Sequence, residues 1–336
     1  MKRQGALRYR VLDLTDEKAL LCPRLLADMG ASVVRVEPPG APPAFRWENL
    51  GKHSLPLDIE SEKGRELFVR LAGAADVLIE SQPPGYLDNL GIGYSQLIES
   101  NPRLVMASIT PFGRDGPYRD YKADDLVAGA LGGQLYLNGD PGKPPLKLFG
   151  DQSYYLASLN AAIGVLLALH HRHNTDKGQH IDISLQECVA AALDQVLVRY
   201  FYENTVAQRQ GSIHGKGYFR VFAAEDGYVL VAMFYQWPTL VDWLDAEGMA
   251  EDLTEAKWLD RDYRREHIEH IIKVLERWVK THKKAEIIEK AQAMRLPWAE
   301  VASPADLRES PQLEARNFWR EIEYQGNRYK IPGSLL

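Results

Sequence analysis

Two hydrophobic rhythms alternate along the first two hundred residues. Short, nearly continuous apolar runs at Val11–Leu14, Ser32–Val36, Ser54–Ile59, Asp76–Glu80, Leu104–Ile109 and Ile181–Ser184 read as strands covered on both faces. Helical spacing fills the intervals, over Leu20–Met29 with Gly30 as its stop, then Glu62–Ala72, Tyr94–Glu99 and Leu126–Leu131. Strand, helix and strand in succession imply a parallel sheet with right-handed crossovers. The fold class expected is α/β, a doubly wound parallel-sheet large domain.

Beyond residue 203 the pattern changes. Glu187–Tyr202 predicts one long helix and Asn204–Lys216 a linker, after which Phe219–Ala224 and Tyr228–Met233 pair as a hairpin through Glu225-Asp226-Gly227. A helix over His267–Val279 carries Ile268, Ile271, Ile272, Leu275, Trp278 and Val279 on one stripe, and a second helix covers Lys284–Met294. The domain plan is therefore 1–203 for the large domain, 204–218 for a linker, 219–310 for a smaller α+β domain, and 311–336 as a return segment.

The most apolar helix starts at Tyr154, with Leu156, Leu159, Ile163, Leu166, Leu167 and Leu169 at helical spacing, as in a helix buried on most sides. Asp151 stands just before it, after Gly150. Two readings are open. Asp151 followed by Gln152 and Ser153 fits an N-cap. The same position holds a carboxylate ionised against the helix dipole and free N–H groups, as a nucleophile requires.

Bulk properties narrow the classes. With 336 residues the chain has room for about two domains. A formal charge of -6 and no basic tail argue against nucleic acid as a partner. The opening MKRQGALRYRVLDL lacks a signal-peptide core, and the apolar stretch over 156–169 is read as too short and interrupted to span a bilayer, so no membrane and a cytoplasmic location are expected. Cys22 and Cys188 have no metal-ligand spacing and read as reduced, buried thiols. The turn Thr15-Asp16-Glu17-Lys18-Ala19 lacks the glycine fingerprint of dinucleotide folds, and GDPGKPP at 139–145 lacks the phosphate-loop spacing. His267 with His270, and His170, His171 and His173, have no evident completing carboxylate, so no metal is expected.

Several blocks together resemble a known family: VLDLT (11–15), LLADMGASVVRVEPPG (25–40), ADVLIESQPPGYLDNLGIGY (75–94), NPRLVMASITPFGRDGPYRD (101–120), Gly150-Asp151 and TDKGQHIDISLQE (175–187). In this order they are similar to the family III CoA-transferases (CaiB/BaiF family), which include formyl-CoA transferase. The resemblance implies an interlocked dimer, no cofactor beyond coenzyme A as co-substrate, and Asp151 as a nucleophile that carries CoA as an aspartyl thioester between an acyl-CoA and a carboxylic acid. It implies that Leu57, Asp58 and Ile59 bracket adenine, that Lys122 contacts CoA, that Ser81 and Gln82 stand in the family's CoA-binding motif, and that Asp125 is a carboxylate near the site.

Departures accompany it. Pro38 and Asn89 replace arginines, Ser81 replaces an asparagine, and the family's C-terminal stretch is expected to be shortened here. Arg35, Arg46 and Lys52 are candidate replacement cations, with solvated surface charge as the alternative. The Tyr154-Tyr155 pair reads as core packing or as a dry wall for the site. Two other functions follow from these departures: a non-catalytic partner subunit in a heteromer, and a 2-methylacyl-CoA racemase, whose histidine position holds Asp124.

Overall fold

The computed structural model describes residues 6–40, 46–214, 218–324 and 326–333; residues 215–217 of the expected linker lie outside them. The chain divides into two compact units. One comprises Met1–Asn138, Pro145–Gln208 and Asn317–Leu336, and the other Gly139–Pro144 and Arg209–Arg316.

The first unit is built on six parallel strands: β1 (Arg10–Leu14), β2 (Ser32–Glu37), β3 (His53–Pro56), β4 (Val77–Glu80), β5 (Val105–Thr110) and β6 (His180–Ser184). Their order in the sheet is β3-β2-β1-β4-β5-β6. Successive side chains point to opposite faces. Val11, Val33, Val77, Ile79, Val105 and Ala107 pack with the helices Leu21–Asp28 and Gln152–Thr175. Leu12, Leu14, Leu78 and Met106 pack on the other face with Phe68, Ala72 and Leu97 from the helices Glu62–Ala74 and Tyr94–Ser100. Both faces are covered, which is why the strands read as unbroken apolar runs. The strand order reverses direction between β1 and β4. In open α/β sheets a ligand crevice forms outside the carboxyl ends of the strands at such a point.

Three expectations are corrected here. The strand expected over Ser54–Ile59 ends at Pro56, and Leu57–Ile59 form a loop leading to Ser61, whose hydroxyl caps the next helix by accepting from Gly64 N–H. The single helix expected over Glu187–Tyr202 is two, Leu185–Ala191 and Val196–Glu203, because Asp194 adopts a positive φ of 54° that no α-helix continues through. The helix Gln152–Thr175 buries Tyr154 and Leu169 but not all of its large residues. Its inner face is Ala157, Ala161, Ala162, Val165 and Ala168, while Leu159, Ile163 and Leu167, four residues apart, are exposed. Small side chains let the helix axis lie close to β5 and β6; a Cβ on Gly164 would stand 3.2 Å from Ile181. By length and composition this helix is apolar enough to cross a membrane, which the reading of 156–169 did not anticipate, yet half of its most apolar window is buried inside the fold.

In the second unit an antiparallel sheet runs in the order Ala299–Glu300, Gly227–Ala232, Phe219–Ala224, Ile213–His214, so the expected linker contributes an edge strand. The hairpin turns on Glu225-Asp226, with Gly227 paired to Ala224 at its start. The stripe on Ile268–Val279 is buried at Ile271, Ile272, Leu275, Trp278 and Val279. These meet Trp243 and Trp298, whose rings lie 4.6 and 6.0 Å from Trp278. His270 has a carboxylate partner that spacing did not reveal, Asp252 at 2.5 Å. Among the described residues no group of three His, Cys, Asp or Glu side chains is placed to hold a metal ion.

The close approach of the Gln152–Thr175 helix generates a test. Ala161→Leu forces side-chain volume into a contact with no exposed surface and is expected to destabilise the chain by about 1–3 kcal/mol, seen as a lower urea midpoint at unchanged slope. An unchanged midpoint would mean that this face is not tightly packed.

Candidate active site

Gly150 adopts a φ of 78°, a conformation that favours glycine, and turns the chain into the 24-residue helix Gln152–Thr175 with Asp151 at its N-cap. The Asp151 side chain makes no capping hydrogen bond. Asp125 does that work instead: its Oδ1 accepts from Ser153 N–H at 2.7 Å, and its backbone carbonyl accepts from the Ser153 hydroxyl at 3.1 Å. Asp125 itself begins the helix Asp125–Leu131 and is buried, and that helix is capped by Asp124, whose Oδ1 accepts from Val127 N–H.

The other Asp125 oxygen pairs with Lys147, Nζ to Oδ2 at 2.8 Å. Lys147 also donates to the Gly150 carbonyl, and its Nζ stands 3.8 Å from Asp151 Oδ1. The hydrogen bond to Asp125, aided by the charges of Asp125 and Asp151, raises the Lys147 pKa and keeps it an ammonium. Relieved of capping, the Asp151 carboxylate is 61% exposed in the single chain. Tyr154 packs into the core, and Tyr155 is half-buried with its ring edge-on to Trp47.

Two cavities open at the carboxyl ends of the strands. The first, about 480 Å³, is lined by Leu14, Thr15 and Asp16 after β1, by Arg35–Pro38 around the end of β2, by Leu57–Glu60 beyond β3, and by Gln82 and Tyr86. The second, about 320 Å³, is lined by Lys18, Ser81–Pro84, Pro111 and Arg119–Ala123. Leu57, Asp58 and Ile59 thus share the first cavity, Ser81 and Lys122 share the second, and Gln82 lines both. Asp125, grouped with these residues on sequence, lines neither cavity. The Ser81 hydroxyl is already engaged, accepting from Asp16 N–H at 2.7 Å and donating to Asp16 Oδ1 at 2.8 Å. Lys122 is exposed at the second cavity.

Of the three candidate replacement cations, Lys52 and Arg35 are tied to partners inside the fold and only Arg46 is a solvated charge. Lys52 is buried, and its ammonium donates to Asp13 Oδ2 at 2.8 Å, to the Leu20 carbonyl and to Asn49 Oδ1. Burial lowers its pKa and the Asp13 charge opposes that shift. Arg35 lines the first cavity but is bound to Glu37, Asp13 and the Thr15 carbonyl. Arg46 is exposed, 3.8 Å from Glu17.

With this geometry in view, comparison with known proteins is decisive. The model of CoA-transferase family III matches residues 8–336. The chain belongs to CoA-transferase family III. It is 34% identical to the succinyl-CoA:(R)-benzylsuccinate CoA-transferase subunit BbsE of Thauera aromatica over 96% of this chain and 87% of that protein. It is 31% identical to the succinyl-CoA:mesaconate CoA-transferase of Haloarcula hispanica over 97% and 88%. The crystal structure of a CAIB/BAIF family protein from Brucella suis superposes with a TM-score of 0.83 at 28% identity, covering 97% of this chain and 91% of that one. CoA transfer is therefore the general activity of this enzyme class, and the six-stranded parallel sheet is its fold.

One group in this CoA-transferase escaped sequence reading because it lies inside an apolar run. Glu80, the last residue of β4, is buried with Oε2 accepting from Gln82 N–H at 2.6 Å. Burial pushes its pKa up from an ordinary 4.5 to about 7, against the pull of Ser108, Gln82 and Arg114. Ser108 in turn meets His180 Nε2 at 2.8 Å, so a buried polar chain supports the Gln82 backbone that both cavities share. A carboxyl raised in the fold holds a proton that the unfolded chain has already released. It therefore costs stability as pH rises from about 4.5 to 7 and costs a constant amount above. Glu80→Gln is expected to gain roughly 2–3 kcal/mol on the native chain between about pH 5 and pH 8 in denaturant unfolding. Parallel pH profiles for the two proteins would show that Glu80 is ionised across that range.

Proposed function

We propose that the chain moves CoA from an acyl-CoA thioester to a carboxylic acid through an aspartyl-CoA thioester on Asp151. The observation that carries this reading is the release of the Asp151 carboxylate from capping, at the head of a long helix, while Asp125 satisfies the helix N–H group. Asp151 attacks the acyl-CoA carbonyl carbon, the C–S bond breaks, and a mixed anhydride and CoA thiolate result. The thiolate attacks the aspartyl carbonyl, expelling the acyl carboxylate and leaving the aspartyl thioester. The acceptor carboxylate repeats both steps in reverse order, so each bond broken is replaced and the thioester is conserved.

CoA is the co-substrate, with its adenine between the backbones of Leu57–Ile59, its chain passing Ser81 and Gln82, and Lys122 available to its phosphates. Succinyl-CoA is the donor to try first, because both relatives described above are named for it. The acids in their names, benzylsuccinate and mesaconate, are starting acceptors. An anhydride in contact with bulk water hydrolyses, and Asp151 is exposed in the single chain. A second chain, identical or related, is therefore proposed to close over this site.

The same exposure, together with the subunit naming of BbsE, favours a second reading, in which this chain is the non-catalytic member of a pair. Intact mass after brief incubation with succinyl-CoA separates the two. The transferase reading expects an adduct of CoA mass on Asp151, removed by hydroxylamine and absent in Asp151→Asn, with transfer activity reduced by about 10³-fold or more in the variant. No adduct from the chain alone, together with full activity of an Asp151→Ala chain reconstituted with a related subunit, would establish the second reading instead.

A further inference from the structure

Lys147 is held at two points and stands beside a third group, the reacting carboxylate. An ammonium carries three N–H donors. Here one reaches Asp125 Oδ2 at 2.8 Å and one the Gly150 carbonyl. The remaining direction leaves Nζ 3.8 Å from Asp151 Oδ1, an ion pair beyond hydrogen-bond length. The anchor is firm because Asp125 is buried and its other oxygen is tied to Ser153 N–H. Lys147 is therefore a fixed charge beside Asp151, and a long flexible side chain is spared the search for its place.

We propose that Lys147 stabilises the oxyanion that forms on Asp151 when a nucleophile attacks its acyl carbon. The proposal rests on the reading of Asp151 as the nucleophile. Free Asp151 is an anion and competes with Asp125 for one cation. Acylation neutralises Asp151, and the ammonium is then shared with Asp125 and Gly150 alone. When CoA thiolate adds to the aspartyl carbonyl carbon of the anhydride, the C=O electron pair moves onto the oxygen and negative charge returns beside Nζ. Collapse of that oxyanion expels the acyl carboxylate. The same oxyanion forms when an acceptor carboxylate, or added hydroxylamine, attacks the aspartyl thioester, with CoA thiolate as the leaving group. Lys147 acts on these steps. It gives no help to the first attack of Asp151 on the acyl-CoA, where charge leaves the aspartate for the substrate oxygen.

Hydroxylamine cleavage of the aspartyl-CoA adduct reads the step directly. The adduct is formed with succinyl-CoA on the native chain and on Lys147→Gln and Lys147→Arg, freed of excess donor, and its loss is followed by intact mass, folded and in denaturant. In the folded proteins Lys147→Gln is expected to slow cleavage by at least about tenfold, less than the roughly 10²–10³-fold cost of losing a hydrogen-bonded oxyanion donor because Nζ stands at 3.8 Å, and Lys147→Arg to restore most of the rate. In denaturant all three adducts should react alike. The affinity for CoA of Lys147→Gln should stay near that of the native chain, while its unfolding midpoint falls because Asp125 Oδ2 loses its cation; Ala161→Leu, destabilised elsewhere on the same helix, should keep the native cleavage rate, which separates charge stabilisation from a structural defect. Equal cleavage rates for native and Lys147→Gln adducts in the folded state would overturn the assignment of Lys147 and leave the nucleophile reading intact. Absence of any Asp151 adduct on the native chain, alone or with a related subunit, would remove both.

Discussion

One buried carboxylate, Asp125, joins pieces of chain that sequence separates widely. Its Oδ1 holds the first turn of the Gln152–Thr175 helix through Ser153 N–H, and its Oδ2 holds Lys147 in the loop before that helix. A buried carboxylate left with unmatched oxygens would cost several kcal/mol, so the loop and the helix start are drawn to the positions that satisfy it. Asp151 lies between those two anchor points. Its side chain is consequently spared the structural work that an aspartate at this position usually does, and remains available for chemistry.

A comparable economy operates where the sheet ends. Parallel strands covered on both faces leave no solvent for polar residues, yet Asp13, Glu80 and Ser108 are all buried near the carboxyl ends of β1, β4 and β5. Asp13 is balanced by Lys52, Arg35 and the Thr15 hydroxyl and N–H, and burial pushes the Glu80 pKa up to about 7. These groups fix the loops that leave the strands. The cavities sit among those loops because the strand order turns there, with no glycine-rich turn of the dinucleotide kind. The fold therefore keeps the crevice and replaces the phosphate-binding turn with side-chain scaffolding.

How much of this was legible depended on the range of the interaction. The strands could be read because Val11–Leu14 or Val105–Ile109 are apolar on both faces, and the helix Ile268–Val279 because one stripe carries all its large residues. Gly150-Asp151 could be read because a turn and a helix start are local events. Along Gln152–Thr175 the spacing holds for Leu169 but not for Leu159, Ile163 and Leu167, since close packing sets alanine rather than leucine against the sheet. Lys147 with Asp125, 22 positions apart, and Lys52 with Asp13, 39 apart, leave no periodic trace. Nor does Asp194 announce that it adopts a positive φ and ends a helix.

Charge placement then constrains how a CoA molecule is accommodated on the proposed reading. Arg35 borders the first cavity, but its Nε and Nη1 donate to Glu37, Asp13 and the Thr15 carbonyl, so a phosphate there would share the guanidinium with a buried carboxylate. Lys52 is still less available, with all three donors used inside the protein. The cations bordering the second cavity are Lys18, Arg119 and Lys122, and the acidic partners of the first two are its neighbours Asp16 and Asp120 at partly solvated positions. Pairs of that kind are weak and exchange readily for a dianionic phosphate. The apolar and backbone surfaces of Leu57–Ile59 suit the flat, uncharged base. Adenine in the first cavity and phosphates toward the second, with Gln82 between, is the orientation that asks the protein to break no buried ion pair.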